Sequence, residues 1–218
     1  MKIKVLQNLL QANARKAAEI RAILKDKKIL MVNLISSPGS GKTSLLEKTL
    51  PLISQKYRTA VIEGDVETDR DAMRLEKYGV PIALINTSGA CHLESISIEK
   101  AFTALDLNAL DLIFVENVGN LVCPAEFDIG EDAKVALIST PEGDDKPVKY
   151  PLLFREAGLA ILNKIDLGEH VNFDTKQFYS DLKKLNANLL VLEMSCRTGY
   201  GLQTWIEWLE KRIMEKQK

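Results

Sequence analysis

NLISSPGSGKTSLLE, Asn33 to Glu47, runs from an apolar stretch through a glycine-rich turn into a helical pattern. Ile29–Ile35 is branched and apolar with little alternation, as in a strand covered on both faces. Thr43–Ser54 repeats apolar residues at helical spacing. Between them, Ser36-Ser37-Pro38-Gly39-Ser40-Gly41-Lys42-Thr43 follows the pattern G-x-x-x-x-G-K-[ST], with Ser36 in the leading glycine's place. Gly39 and Gly41 let the backbone curl so that its N–H groups, those around Ser40 and Ser44 included, face phosphate oxygens at a helix N-terminus. Lys42 would neutralise the β- and γ-phosphates, and the Thr43 hydroxyl would ligate Mg²⁺. Only the inner glycines must approach the phosphates closely, so Ser36 leaves the chemistry intact.

Outward from this loop the same alternation repeats. Apolar runs occupy Thr59–Glu63, Pro81–Asn86, Leu112–Glu116, Val135–Ser139, Leu159–Asn163 and Leu189–Met194. Helical patterns fill Arg70–Tyr78, Leu93–Leu105, Asp174–Leu185 and Leu202–Lys216. This predicts an α/β fold, a mainly parallel sheet with helices on both faces, with ligands beyond the carboxyl ends of the strands. Val5, Leu6, Leu9, Leu10, Ala17, Ile20 and Leu24 recur on one face of an amphipathic helix over 4–25. Residues 1–28 therefore read as an N-terminal helix, and 29–218 as one nucleotide-binding domain with a metal site.

A formal net charge of −1 gives no electrostatic reason to expect nucleic acid as a partner. No apolar run approaches the roughly 20 residues that span a bilayer, so no membrane role is expected. The basic N-terminal stretch lacks the apolar core and cleavage site of a secretory signal. Three cysteines do not make a disulfide framework and suit a reducing cytoplasm.

Later motifs specify the nucleotide. ILNKID, Ile161–Asp166, ends a predicted strand with Asn163-Lys164-x-Asp166. The Asp166 carboxylate can accept guanine N1–H and N2–H together, which adenine does not offer, while Lys164 packs along the base and Asn163 braces the loop. MSCRTG, Met194–Gly199, brings the Ser195 and Cys196 backbone, followed by Arg197, toward the base O6. In IFVENVGNL, Glu116 is placed for the magnesium shell and Gly119 for the γ-phosphate. In IEGDVETDRDA, Asp65 could join the magnesium, and Asp69 or Asp71 could orient the attacking water; a solvated turn and helix cap is the plainer reading of the last two.

Cys91-His92 in GACHLES and Cys123 in NLVCPAE offer two thiolates and an imidazole, which suit Zn²⁺ or Ni²⁺ better than Mg²⁺. The expected placement is at neighbouring strand ends on one edge of the sheet; two buried packing cysteines are the alternative. Three ligands leave a four-coordinate shell one short, which a two-fold axis could complete. Cys196 reads as packing beside the base, and His170 as a loop residue.

With SSPGSGKT, EGD, CHLE, ENVGNLVCP, PEGDDKPVKYP, NKID and SCRTGYG in that order, the chain resembles the hydrogenase nickel-incorporation GTPases, the HypB family, from Leu30 to Leu202. The resemblance implies a P-loop GTPase of the signal-recognition/MinD-like (SIMIBI) class, using GTP/GDP and Mg²⁺ and dimerising on GTP. It implies Cys91, His92 and Cys123 as an interface site for Ni²⁺ or Zn²⁺, and Thr43, Asp65 and Glu116 around Mg²⁺. Its partners would be a companion zinc-binding maturation protein and the hydrogenase large-subunit precursor. The family's cysteine-rich or histidine-rich N-terminal nickel tracts have no counterpart, so the interface site is expected to carry any transfer. Ser37 stands where MinD-like ATPases hold an extra lysine, and Lys146 or Lys149 could reach a partner subunit's nucleotide instead. A urease-type accessory GTPase, a non-hydrolysing nucleotide-dependent scaffold and a small-substrate kinase are the competing readings; the first lacks its cysteine-proline-histidine motif here.

Overall fold

The computed structural model describes residues 2–65, 70–87 and 89–218, with side chains from Leu10 onward other than those of Asp65 and Arg70. Seven described strands form one sheet: β1 Leu30–Ser36, β2 Thr59–Asp65, β3 Ile82–Asn86, β4 Leu112–Glu116, β5 Ala133–Ser139, β6 Leu159–Asn163 and β7 Val191–Glu193. Their order is β3-β2-β4-β1-β5-β6-β7, and every pair is parallel. All of β1 is buried, which accounts for its nearly unbroken apolar sequence.

The helices are α1 Lys2–Asp26, α2 Lys42–Ile53, α3 Arg70–Glu76, α4 Ser95–Phe102, α5 Cys123–Glu126, α6 Lys146–Lys149, α7 Pro151–Glu156, α8 Thr175–Leu185 and α9 Leu202–Gln217. On one face Leu30, Val32 and Leu34 of β1 pack with Leu45 and Leu46 of α2 and Trp205 and Leu209 of α9. On the other, Ile20 and Leu24 of α1 join Ile98 of α4 over Ile62 and Val115. Phe154 of α7 and Phe178 of α8 cover Ile138 and Leu162 beside them. Each strand thus alternates its side chains between two apolar layers.

The helix expected over Leu93–Leu105 narrows to Ser95–Phe102. Its start is fixed by α1: Asn13 Oδ1 accepts from Ser95 N at 2.9 Å and from Ser95 Oγ at 2.8 Å, while Asn13 Nδ2 donates to Asp128 O at 2.7 Å. Of the stripe expected on the first helix, Ala17, Ile20 and Leu24 are buried and Leu10 is exposed. Val5, Leu6 and Leu9 lie outside the described side chains.

One topological expectation needs correcting. Cys91 follows β3 and Cys123 follows β4, but β2 lies between those strands. The two residues meet because the loops beyond β3 and β4 reach across the carboxyl end of β2, not because their strands adjoin.

Candidate functional site

Gly39 (φ 76°) and Gly41 (φ 107°) turn the loop after β1 through left-handed backbone. At Gly41 a Cβ would also stand 2.6 Å from Asn163 Nδ2, so the sequence has no alternative to glycine there. Gly41 caps α2 without a side chain, leaving the first-turn N–H groups to an anion. Lys42 is buried and its Nζ donates to Ser36 Oγ at 3.0 Å, so the ammonium lies over the loop. The Ser40 hydroxyl is turned away, its single proton shared between Ser37 O (3.0 Å) and Glu142 Oε2 (2.7 Å); Ser40 offers the site only its backbone.

Beside Lys42 sits a carboxylate cluster. The parallel register sets Glu63 of β2 next to Glu116 of β4. Oxygens of Glu63, Asp71 and Glu116 lie within 4.8 Å of one another, and Thr43 Oγ1 donates to Glu116 Oε1 at 2.8 Å. Burial, then the neighbouring Glu116 charge, pushes Glu63 up to about 10; burial also raises Glu116. Glu63 Oε2 and Glu116 Oε2 are buried without a hydrogen-bond partner. Two orphaned carboxylate oxygens beside a threonine hydroxyl form a hard, all-oxygen donor set that fits Mg²⁺. Sequence reasoning passed over Glu63, although it lies two residues before Asp65 and so on the same side of β2. Asp69 and the Asp65 side chain lie outside the described residues, whereas Asp71 joins the cluster.

Gly119 is packed flush on the phosphate loop: a Cβ there would come within 2.9 Å of Pro38 Cγ and 3.0 Å of Pro38 N. Pro38, Lys42, Thr43, Glu63, Glu116 and Gly119 line a cleft of about 410 Å³. A second cleft of about 370 Å³, lined by Asn163, Lys164, Asp166, Cys196 and Arg197, shares Gly41 and Ser44 with the first. The pair has the layout of a nucleotide, phosphates in one and base in the other.

Asn163 braces the junction, its Nδ2 donating to Ser40 O at 2.9 Å and its Oδ1 accepting from Cys196 N at 3.2 Å. Lys164, in left-handed backbone (φ 58°), donates from Nζ to Gly39 O at 2.7 Å. The backbone contacts expected from Ser195 and Cys196 are not presented in this state. Ser195 N donates to Tyr200 O at 3.0 Å and Cys196 N to Asn163, so both N–H groups hold the turn itself. Burial pushes the Cys196 thiol up to about 11, keeping it a neutral packing group beside the cleft. Lys149 pairs with Asp145 on the exposed surface of α6.

Across the segment from Glu116 to Cys123 lies the third group. Cys91 Sγ stands 2.9 Å from Cys123 Sγ and 3.6 Å from His92 Nδ1, and one ligand atom from each residue falls within a 4.8 Å circle. Asn120 Nδ2 donates to Cys91 O at 3.2 Å, tying the two loops together. The imidazole stacks on Phe127 with centroids 3.8 Å apart, and its buried Nε2 has no hydrogen-bond partner. Desolvation lowers the His92 pKa, which favours the neutral ring that ligates metal. The Cys123 thiol is raised, first by its hydrogen bond with Cys91 and then by burial. Two sulfurs and an imidazole nitrogen fit Ni²⁺ or Zn²⁺ as a ligand set.

Residues 30–193 match the CobW/HypB/UreG nucleotide-binding domain family. The hydrogenase maturation factor HypB of Azotobacter vinelandii is 45% identical over 210 residues, which are 96% of this chain and 69% of that one. The crystal structure of HypB from Helicobacter pylori in complex with nickel superposes with a TM-score of 0.89 at 39% identity, covering 94% of this chain and 96% of that one. HypB from Archaeoglobus fulgidus gives a TM-score of 0.87 at 35% identity, covering 94% and 100%. No described helix is long and apolar enough to cross a membrane. A phosphate loop, a guanine-type base loop and a sulfur–imidazole trio at the carboxyl end of one sheet, in a chain this similar to those proteins, place it in the HypB family of hydrogenase maturation factors, which are P-loop GTPases.

Proposed function

We propose that the chain hydrolyses GTP to GDP and phosphate and uses that cycle to load and release nickel during [NiFe] hydrogenase maturation. The observation that carries this reading is the segment Glu116–Cys123. It begins on a carboxylate bonded to Thr43 and ends on a thiol 2.9 Å from Cys91. Nucleotide and cargo share one short stretch of backbone.

Gly39 to Ser44 would cradle the phosphates and Lys42 would neutralise the β/γ oxygens, while Asp166 would select guanine. Thr43 and Glu116, with Glu63 beside them and Asp65 as a further candidate, would hold Mg²⁺, which supplies positive charge against the β- and γ-phosphate oxygens. Asp71, or Asp69, would orient a water for in-line attack on the γ-phosphorus, breaking its bond to the β–γ bridging oxygen. Without an arginine finger such turnover is slow, on the order of 10⁻⁴–10⁻³ s⁻¹.

The Gly119 N–H would be drawn to the γ-phosphate, and Cys123 would move with the same segment. Nickel is the cargo, held by Cys91, His92 and Cys123, and Zn²⁺ would compete for the same ligands. A second copy of the chain, docked when GTP is bound, would complete the metal's shell. Hydrolysis would relax the segment, loosen the dimer and pass nickel toward the hydrogenase precursor, with the companion zinc-binding protein assisting.

Two measurements test the reading. GTP incubated with the Mg²⁺-loaded protein should release phosphate slowly; bound GTP that is never cleaved removes the hydrolytic role. Nickel affinity should differ between Mg²⁺–GDP and a Mg²⁺-bound non-hydrolysable GTP analogue, because linkage is reciprocal. Equal affinities would remove the coupling.

A further inference from the structure

Asn117 lies between the phosphate-loop cleft and the Cys91, His92 and Cys123 cluster, and its side chain touches the backbone that supports both. It is 1% exposed. Its Oδ1 accepts two backbone bonds at once, from Val118 N at 2.9 Å and from Leu93 N at 3.3 Å. Val118 leads into Gly119 and Cys123, and Leu93 directly follows Cys91-His92. A single oxygen therefore joins the segment that faces the γ-phosphate to the segment that presents two of the metal's ligands.

The other end of the amide rests on the phosphate-loop strand. Asn117 Nδ2 donates to Asn33 Oδ1 at 3.1 Å, and Asn117 N donates to Leu34 O at 3.1 Å. Asn33 is held in turn by Glu131 Oε1 at 3.3 Å, and Glu131 Oε2 accepts from Ile129 N at 2.9 Å. Leu93 is itself pinned, because its side chain fills the space where a Cβ on Gly64 would stand. The base of the Asn117 amide is fixed while its oxygen straddles the two loops. A side chain that only filled a core position would need no such division of partners.

We propose that Asn117 is the positioning residue through which nucleotide state reaches the nickel ligands. This rests on the coupling proposed above and specifies its route. When the Gly119 amide moves toward a γ-phosphate, the Val118 N–H moves with it. The shared oxygen then either carries Leu93 and the Cys91-His92 pair along or lets go of Leu93. In both cases the geometry offered to nickel changes with the nucleotide.

The test uses the full chain with nickel alone as the probe. Its dissociation constant is read by competition with a chromophoric chelator, once with Mg²⁺–GDP and once with the non-hydrolysable GTP analogue. The wild-type ratio is expected between about 5-fold and about 150-fold. Asn117→Ala should bring the ratio to within about twofold of one, and Asn117→Asp, whose carboxylate still accepts from both amides but cannot donate to Asn33 Oδ1, should recover only part of it. If the alanine variant does not fold, Asn117→Ser replaces it, since its shorter side chain cannot reach both amides together. Thermal melting of each variant separates stability from coupling: a purely structural residue would lower the midpoint and leave the ratio at its wild-type value. That result, in a protein whose wild-type ratio departs from one, overturns the Asn117 route alone. A wild-type ratio of one overturns the coupling itself and this route with it.

Discussion

The Asn163 side chain and the Ser40 carbonyl oxygen are joined by a 2.9 Å hydrogen bond across 123 residues of sequence, which makes the base loop and the phosphate loop one rigid unit. The same amide receives Cys196 N on its other side. Replacing Asn163 with alanine strips both bonds from a buried junction, at a stability cost of about 1–3 kcal/mol. GTP and GDP affinities should fall together, by about tenfold or more, because both nucleotides use the base and the inner phosphates. Fluorescence titration with each nucleotide checks this; a loss confined to GTP would contradict the bracing role.

Asp166 faces the second cleft beside Lys164 and Arg197. Asp166→Asn replaces a double acceptor by a group that also donates, which suits a carbonyl at the base C2 position better than an amine. GTP affinity should drop by about 100-fold or more while xanthosine triphosphate gains. Competition binding among guanosine, xanthosine and adenosine triphosphates gives the answer, and unchanged guanine preference would remove Asp166 from base recognition.

The Glu63–Glu116 pair gives the ligand-free protein a pH signature. Glu63 is raised from its ordinary 4.5 to about 10, so between those values the folded chain holds a proton that the unfolded chain has released. The stability this group contributes is complete below about pH 4.5 and is lost as pH rises toward 10, with a slope of up to about 1.4 kcal/mol per pH unit for one proton. Glu63→Gln should flatten the slope and, without nucleotide, raise stability at pH 9 relative to the native chain. Denaturant melts at pH 6 and pH 9 measure both; parallel curves for the two proteins would contradict the assignment.

Cys123→Ser exchanges a soft sulfur for a hard hydroxyl at almost the same size. Nickel affinity should fall by about 100-fold or more, whereas GDP binding without nickel should stay near native. Chelator competition and nucleotide titration on one preparation separate the effects. Equal loss of both would mean that Cys123 supports the fold of the segment from Glu116 to Cys123 and not the metal.

The phosphate loop was legible in the sequence because its residues act where they stand: Gly39 to Thr43 are consecutive, and their neighbours predict the strand and helix that orient them. The strands were legible for a related reason, since a sheet covered on both faces writes itself as apolar runs. Contacts between distant segments were not. Glu63 belongs to the carboxylate cluster only because the β2–β4 register sets it beside Glu116. Ser195 reads as a base contact until Tyr200 O is seen to occupy its N–H. The placement of the Cys91 and Cys123 loops depends on strand order, which no local pattern encodes; β2 between β3 and β4 had to come from the three-dimensional arrangement. Asn13 at the head of α4 is of the same kind, a tie spanning 82 residues.

That tie has a consequence for how the chain can be cut. Asn13 grips Ser95, four residues beyond Cys91, while Ile20 and Leu24 fill the layer above Ile98. A fragment starting at residue 29 would keep every nucleotide-facing group yet leave the His92 loop without its outer anchor and bare the flank of α4. Such a fragment would keep its nucleotide clefts but carry a slackened, aggregation-prone Cys91–His92 end, so shortened versions would understate the nickel affinity proposed for the intact molecule.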